Sequence, residues 1–280
     1  LNWYNLTNGK DHSTNISKAN AKIQVYDNEY YLKGYEEINQ FYWWKFGEGV
    51  SSDTIFFLQG DNYSIYTYYV ENGYVKLDDW KNVNPKDLLA EMNDIQDEWK
   101  EQQIAQEIDY VENMEWIFKP TLDEENRSVL MSYGNEWNGI NGKYKTMQSN
   151  AMVLGRNGYV YLRVVYDIDN STSDEELSEN SDITKDFIKG ISFNQGARHA
   201  DYKSGDRVAA LGIGGLVAGT LGVKTLAKAG AFAKFLPLLA KFWWVLLAPL
   251  AALGFLGKKS DTNSHENTPT RKKRSRRKTD

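Results

Sequence analysis

Between Phe235 and Gly257 the chain reads FLPLLAKFWWVLLAPLAALGFLG, 23 residues carrying one charge, Lys241. Soluble domains seldom bury a helix of this length and composition. As a helix it would reach roughly 34 Å, enough for a hydrocarbon core of about 30 Å. Pro237 and Pro249 do not forbid this, because neighbouring helices satisfy the carbonyls that proline frees inside a membrane. Trp243 and Trp244 are amphipathic rings suited to an interface, and Lys241 can snorkel to the headgroups. The sequence therefore predicts a transmembrane helix over 235–257, with the lipid bilayer as a partner.

The flanks orient it. Nine basic residues follow the run (Lys258, Lys259 and seven between Arg271 and Lys278), against four on its other side, Lys224, Lys228 and Lys234 before it and Lys241 near its start. Basic residues stay in the cytoplasm, so the tail 258–280 is expected there. With one span the large N-terminal domain then lies outside. An apolar run at 208–223, rich in glycine, complicates this. It reads either as half of a helical hairpin, with Gly215 and Gly219 as a close-packing pair, or as a segment at the membrane surface. A hairpin would put the domain in the cytoplasm.

Charge divides the chain in the same place. Residues 1–200 hold 18 Lys+Arg against 33 Asp+Glu, a net of −15, and 201–280 hold 15 against 5, a net of +10. An acidic domain argues against nucleic acid and anionic lipid headgroups as its partners, and the basic tail reads as a topology signal with some attraction to anionic lipid. Cysteine is absent, which excludes disulfides, thiol nucleophiles and thiolate metal sites. The sequence opens on Leu1, and a signal peptide removed ahead of it would fit an exported domain at the bacterial cytoplasmic membrane.

The pattern before the anchor predicts an α+β fold, an antiparallel sheet with a few helices. Residues 1–20 read as a flexible lead-in, 21–200 as the domain, and 201–234 as a membrane-proximal segment. Ile55–Leu58 and Tyr63–Val70 are β-branched and aromatic runs set as a hairpin. Asn84 caps a helix that Pro85 opens, and Leu88, Met92, Ile95 and Trp99 form its apolar stripe. Four strands follow (Met114–Lys119, Ser128–Tyr133, Tyr144–Arg156 and Tyr159–Asp167), with Asn157-Gly158 expected as the two-residue turn of the last hairpin. An acidic loop, 169–181, leads to a short helix at Asp182–Lys189 and a closing ISF strand.

No catalytic constellation is legible. His12, His199 and His265 are scattered, and no GxSxG, HExxH, P-loop or dinucleotide pattern occurs. Neither a metal nor a cofactor is expected. Asp78–Asp79 and Asp123–Glu125 are paired carboxylates that read first as solvated loop acids. The positions singled out for binding are Arg156, Arg198, Asp201 and Asp206, because 198–206 joins the domain to its anchor. The competing reading is that they form one or two structural ion pairs.

Several stretches in order (NGYVKLDDW, WIFKPTLDEENRSVL, VLGRNGYVYL and FNQGARHADYKSGDRVAALGIGGLVAG) make the chain resemble a bacterial family of membrane-anchored proteins, domain of unknown function 2167. The resemblance covers most of 20–257. It implies an exported, C-terminally anchored domain with no known active site. More loosely, the hairpins, last helix and ISF strand resemble the PsbP/Mog-one-like α+β sandwich. The expected function is non-enzymatic binding of a membrane or envelope protein or another envelope component. The alternatives are a carboxylate-dependent hydrolase of envelope glycans, and a regulator on the cytoplasmic face.

Overall fold

The computed structural model describes residues 4–5, 12–25, 30–46, 49–60, 63–166, 168 and 171–222. In chain order these form β1 (Tyr4–Asn5), β2 (His12–Ile16), β3 (Ala21–Val25), β4 (Tyr30–Lys33), α1 (Tyr35–Phe46), β5 (Thr54–Gln59), β6 (Tyr63–Val70), α2 (Pro85–Ala105), β7 (Tyr110–Asp123), β8 (Ser128–Gly139), β9 (Gly142–Leu154), β10 (Tyr159–Tyr166), α3 (Asp174–Lys189), β11 (Ile191–Phe193) and α4 (Ile213–Thr220). Every strand pair is antiparallel. A large sheet runs β1-β4-β5-β6-β10-β9-β8-β7 and a small one β11-β3-β2. The fold is α+β, as the irregular order of runs implies.

The large sheet is covered on both faces. From β10, Val160, Leu162, Val164 and Tyr166 point into a core shared with Ile23 and Val25 of the small sheet and Phe187 and Ile188 of α3. Tyr159 and Tyr161 point the other way, into a core with Leu88 and Met92 of α2 and Ile213 and Val217 of α4. Helix α1 covers β4 and β5 through Ile38, Phe41 and Tyr42 against Leu32 and Phe57. Strands buried on both faces lose strict alternation, which is why YVYLRVVY reads as a nearly continuous apolar run.

Local chemistry sets the helix ends. The Asn84 side chain accepts from the Lys86 N–H, Pro85 fills the first position, and α2 ends at Ala105, within the range the stripe predicts. Helix α3 begins eight residues earlier than expected. Ser173 and Glu176 form a reciprocal capping box, and this satisfies enough N-terminal donors to carry the acidic, serine-rich stretch into the helix.

Three further readings are corrected. Residues 12–20 are no loose lead-in but β2 and a 3-10 turn, paired with β3. The β9–β10 turn is closed by the Gly155 N–H on the Gly158 carbonyl, so its central pair is Arg156-Asn157. Gly158 is needed for space, since a Cβ there would lie 2.1 Å from the Val70 carbonyl oxygen. The glycine-rich run forms α4, with Ile213, Leu216, Val217 and Ala218 buried in the domain core. Gly215 lies in that helix, buried, and Gly219 half-buried. An apolar octapeptide suits a protein interior as well as a bilayer, and here the protein interior takes it. Among the described residues no helix is long and apolar enough to cross a membrane. The expected span 235–257, with Lys241, Trp243, Trp244, Lys258 and Lys259, lies outside them.

Candidate functional site

The four positions singled out from sequence meet beside the β9–β10 turn. The Arg156 N–H donates to the Ala197 carbonyl at 2.8 Å, and Gly155 and Arg198 form a short antiparallel bridge. The turn thus acts as a shelf for 196–206. Arg156 grips Asp206 with two parallel hydrogen bonds, Nε to Oδ2 and Nη2 to Oδ1, both 2.7 Å. Its Nη1 reaches the Gly196 carbonyl at 3.2 Å.

Arg198 holds Asp201 in the same forked manner, at 2.9 Å through each nitrogen. Asp201 Oδ2 also accepts from the backbone N–H groups of Gly196, at 2.8 Å, and Arg198, at 3.1 Å. The Lys203 N–H donates to Asp206 at 2.7 Å. Guanidinium and backbone donors favour the ionised carboxylate. Asp206 is held down to about 2 by Arg156 and then the Lys203 N–H, and Asp201 to about 2 by Arg198 and the backbone donors. Acids fixed as carboxylates near neutral pH cannot act as proton donors.

Beyond this clasp the chain is zipped along residues 73–79. His199 is buried, and its Nε2 donates to the Val75 carbonyl at 2.8 Å. Tyr74 stacks on His199 and meets Tyr202 at a tilt, with ring centroids 4.3 and 4.2 Å apart. Tyr74 exchanges backbone hydrogen bonds with Arg207 and Ala209, and the Ile213 N–H donates to the Lys76 carbonyl. The zipper ends on Asp79, whose carboxylate accepts from the Gly214 and Gly215 N–H groups at 3.0 Å each. Asp79 therefore supplies, from another segment, the cap that glycine cannot give α4.

The other carboxylate pair is occupied as well. Asp123 closes the β7–β8 loop by accepting from the Asn126 backbone and side chain. Among the described residues no group of three or more His, Asp or Glu could hold a metal ion.

Sequence reading missed one polar cluster. Arg163, 4% exposed, sits in β10 opposite Tyr66 and Asn150. Nearby, Asn150 accepts from the Tyr161 hydroxyl at 2.8 Å and the Gln148 amide at 2.9 Å. Burial raises the Tyr68 hydroxyl to about 12 and raises Tyr133, with the Arg163 charge opposing both. The available signal was one cation within the apolar run YVYLRVVY.

The family described as "Protein of unknown function (DUF2167)" matches residues 8–251. The chain belongs to that family. No curated protein matches it. The solution structure of cyanobacterial PsbP (CyanoP) from Synechocystis sp. PCC 6803 is similar at a TM-score of 0.38 and 6% identity, covering 66% of this chain and 94% of that one.

Proposed function

We propose that this DUF2167 protein is a membrane-anchored domain, facing away from the cytoplasm, that works by binding a membrane or envelope protein and not by catalysis. The reading rests on how residues 194–222 are fastened. Two arginine–aspartate forks, the His199–Val75 contact and the Asp79 cap fix where the chain leaves the domain for the apolar run 235–257. A flexible tether would need none of these. A domain oriented at a bilayer would use such a fixed point of departure, and the charge changes from net −15 over 1–200 to net +10 over 201–280 in the same part of the chain. The arginines and acids engaged there are tied up in structural pairs, which supports a binding role over a reactive one at this junction.

Topology tests it, with the cysteine-free chain as a clean background. Ser171→Cys and Ser275→Cys would be treated in intact cells with a membrane-impermeant maleimide. Labelling at 171 alone is the expected outcome. If neither position labels before lysis, the domain is cytoplasmic and the proposal fails.

A further inference from the structure

Helix α1 ends with two adjacent tryptophans on the outside of the domain. Trp43 and Trp44 are 59% and 75% exposed, while Phe41 and Tyr42 beside them are buried against Phe57. The inner stripe of α1 is thus complete without the indoles. Large exposed apolar groups that the core does not need mark interaction surfaces.

The surroundings select the partner. Among the described side chains, Gln40 and Lys45 are the other exposed ones at this end of the helix, and the Lys45 ammonium lies 5.4 Å from the Phe41 ring centroid. The acids of α1, Glu36 and Glu37, sit in its first turn, roughly 10 Å back from Trp43. Two indoles and an ammonium are the residue set of a membrane–water interface, where the ring body meets acyl chain and the N–H meets headgroup. The length of the connection points the same way. Twelve residues, 223–234, separate Gly222 from Phe235, and even fully extended they span only about 43 Å. A domain tied through them to a bilayer stays at its surface, so a weak contact acts at high effective concentration.

We infer that Trp43 and Trp44 insert into the headgroup region of the bilayer as a second, peripheral contact. The inference rests on the membrane-anchored reading above. It would be tested on the full chain reconstituted into phosphatidylethanolamine/phosphatidylglycerol vesicles containing a lipid spin-labelled near its headgroup. A fluorophore is placed on Gln40→Cys, one turn from the pair, or on Glu124→Cys, in the β7–β8 loop at the opposite edge of the sheet.

The spin label should quench the Gln40→Cys probe about twofold more than the Glu124→Cys probe. The additional change Trp43→Ala/Trp44→Ala should remove the difference and leave circular dichroism unaltered. Equal quenching at the two positions, in vesicles with which the chain floats, overturns the insertion, leaves the anchor intact and points to a protein on this surface. A chain that does not float with the vesicles overturns both.

Discussion

The Arg156 guanidinium and the Asp206 carboxylate, fifty positions apart, meet in a planar fork with both bonds at 2.7 Å. The pair joins the β9–β10 turn to the segment that leads to α4, so removing it should loosen 196–222 before it touches the sheet. Arg156→Ala is expected to lower Tm by a few degrees and to raise amide exchange selectively in 196–222. Arg156→Lys keeps the charge but loses the fork and should restore only part of the loss.

The same pair fixes an acid limb. Asp206 sits at about 2 when folded, against an ordinary 3.8. Folding favours its ionised form, so its contribution is complete above pH 3.8 and disappears as pH falls through 2. Asp201 behaves alike. Thermal melts between pH 5 and pH 2 should therefore decline less steeply in Asp206→Asn than in the wild type. Parallel curves would show the fork to be solvated in solution.

Asp79 is predicted to decide whether α4 is folded. Gly214, Gly215 and Gly219 give this helix poor intrinsic propensity, about 1 kcal/mol each relative to alanine, and its backbone cap comes from Asp79 alone among the contacts described. Asp79→Ala should cost roughly 1–2 kcal/mol and open α4 to exchange. Ile213→Ala, at a fully buried position, should cost about 2–5 kcal/mol in urea unfolding. If Ile213→Ala is neutral, α4 does not belong to the core in solution.

How far the sequence could be read follows the same physics. Helix α2 was legible because its cap, proline and stripe agree. In the β7–β10 meander β9 and β10 were legible at nearly full length, while β7 and β8 were cut short; in β8, Asn135 looks like a turn residue and instead donates to Thr146 within the sheet. Helix α4 was placed with the membrane because burial in a protein core and burial in lipid select the same residues. Arg198, Asp201 and Asp206 could be picked by their place between domain and anchor, with Arg156 of the tight turn singled out beside them. Their pairing depends on a turn register that spacing alone does not reveal. Asp79, the distant cap of α4, left no signal that a single sequence could carry.

The α3 capping box allows a local test. Ser173 accepts from the Glu176 N–H while Glu176 Oε2 accepts from the Ser173 N–H at 2.7 Å. Both side chains are exposed, so Ser173→Ala removes the cap without opening a cavity. A loss of about 1 kcal/mol is expected in urea, with faster exchange confined to the first turn of α3.

His199 gives the chain a second, milder pH dependence. Burial lowers the pKa of its ring below the usual 6.5, the Val75 carbonyl partly opposing and the Arg127 charge adding to the effect. Folding disfavours the imidazolium, so the stability tied to the neutral ring is complete above pH 6.5 and is lost as pH falls below it toward the lower folded value. The wild type should lose more Tm than His199→Gln between pH 7 and pH 5. The amides of Tyr74 and Ala209, on the zipper that His199 braces, should show the change first. Equal losses in the two proteins would mean that the ring is hydrated in solution and that the stack on Tyr74 is not a closed contact.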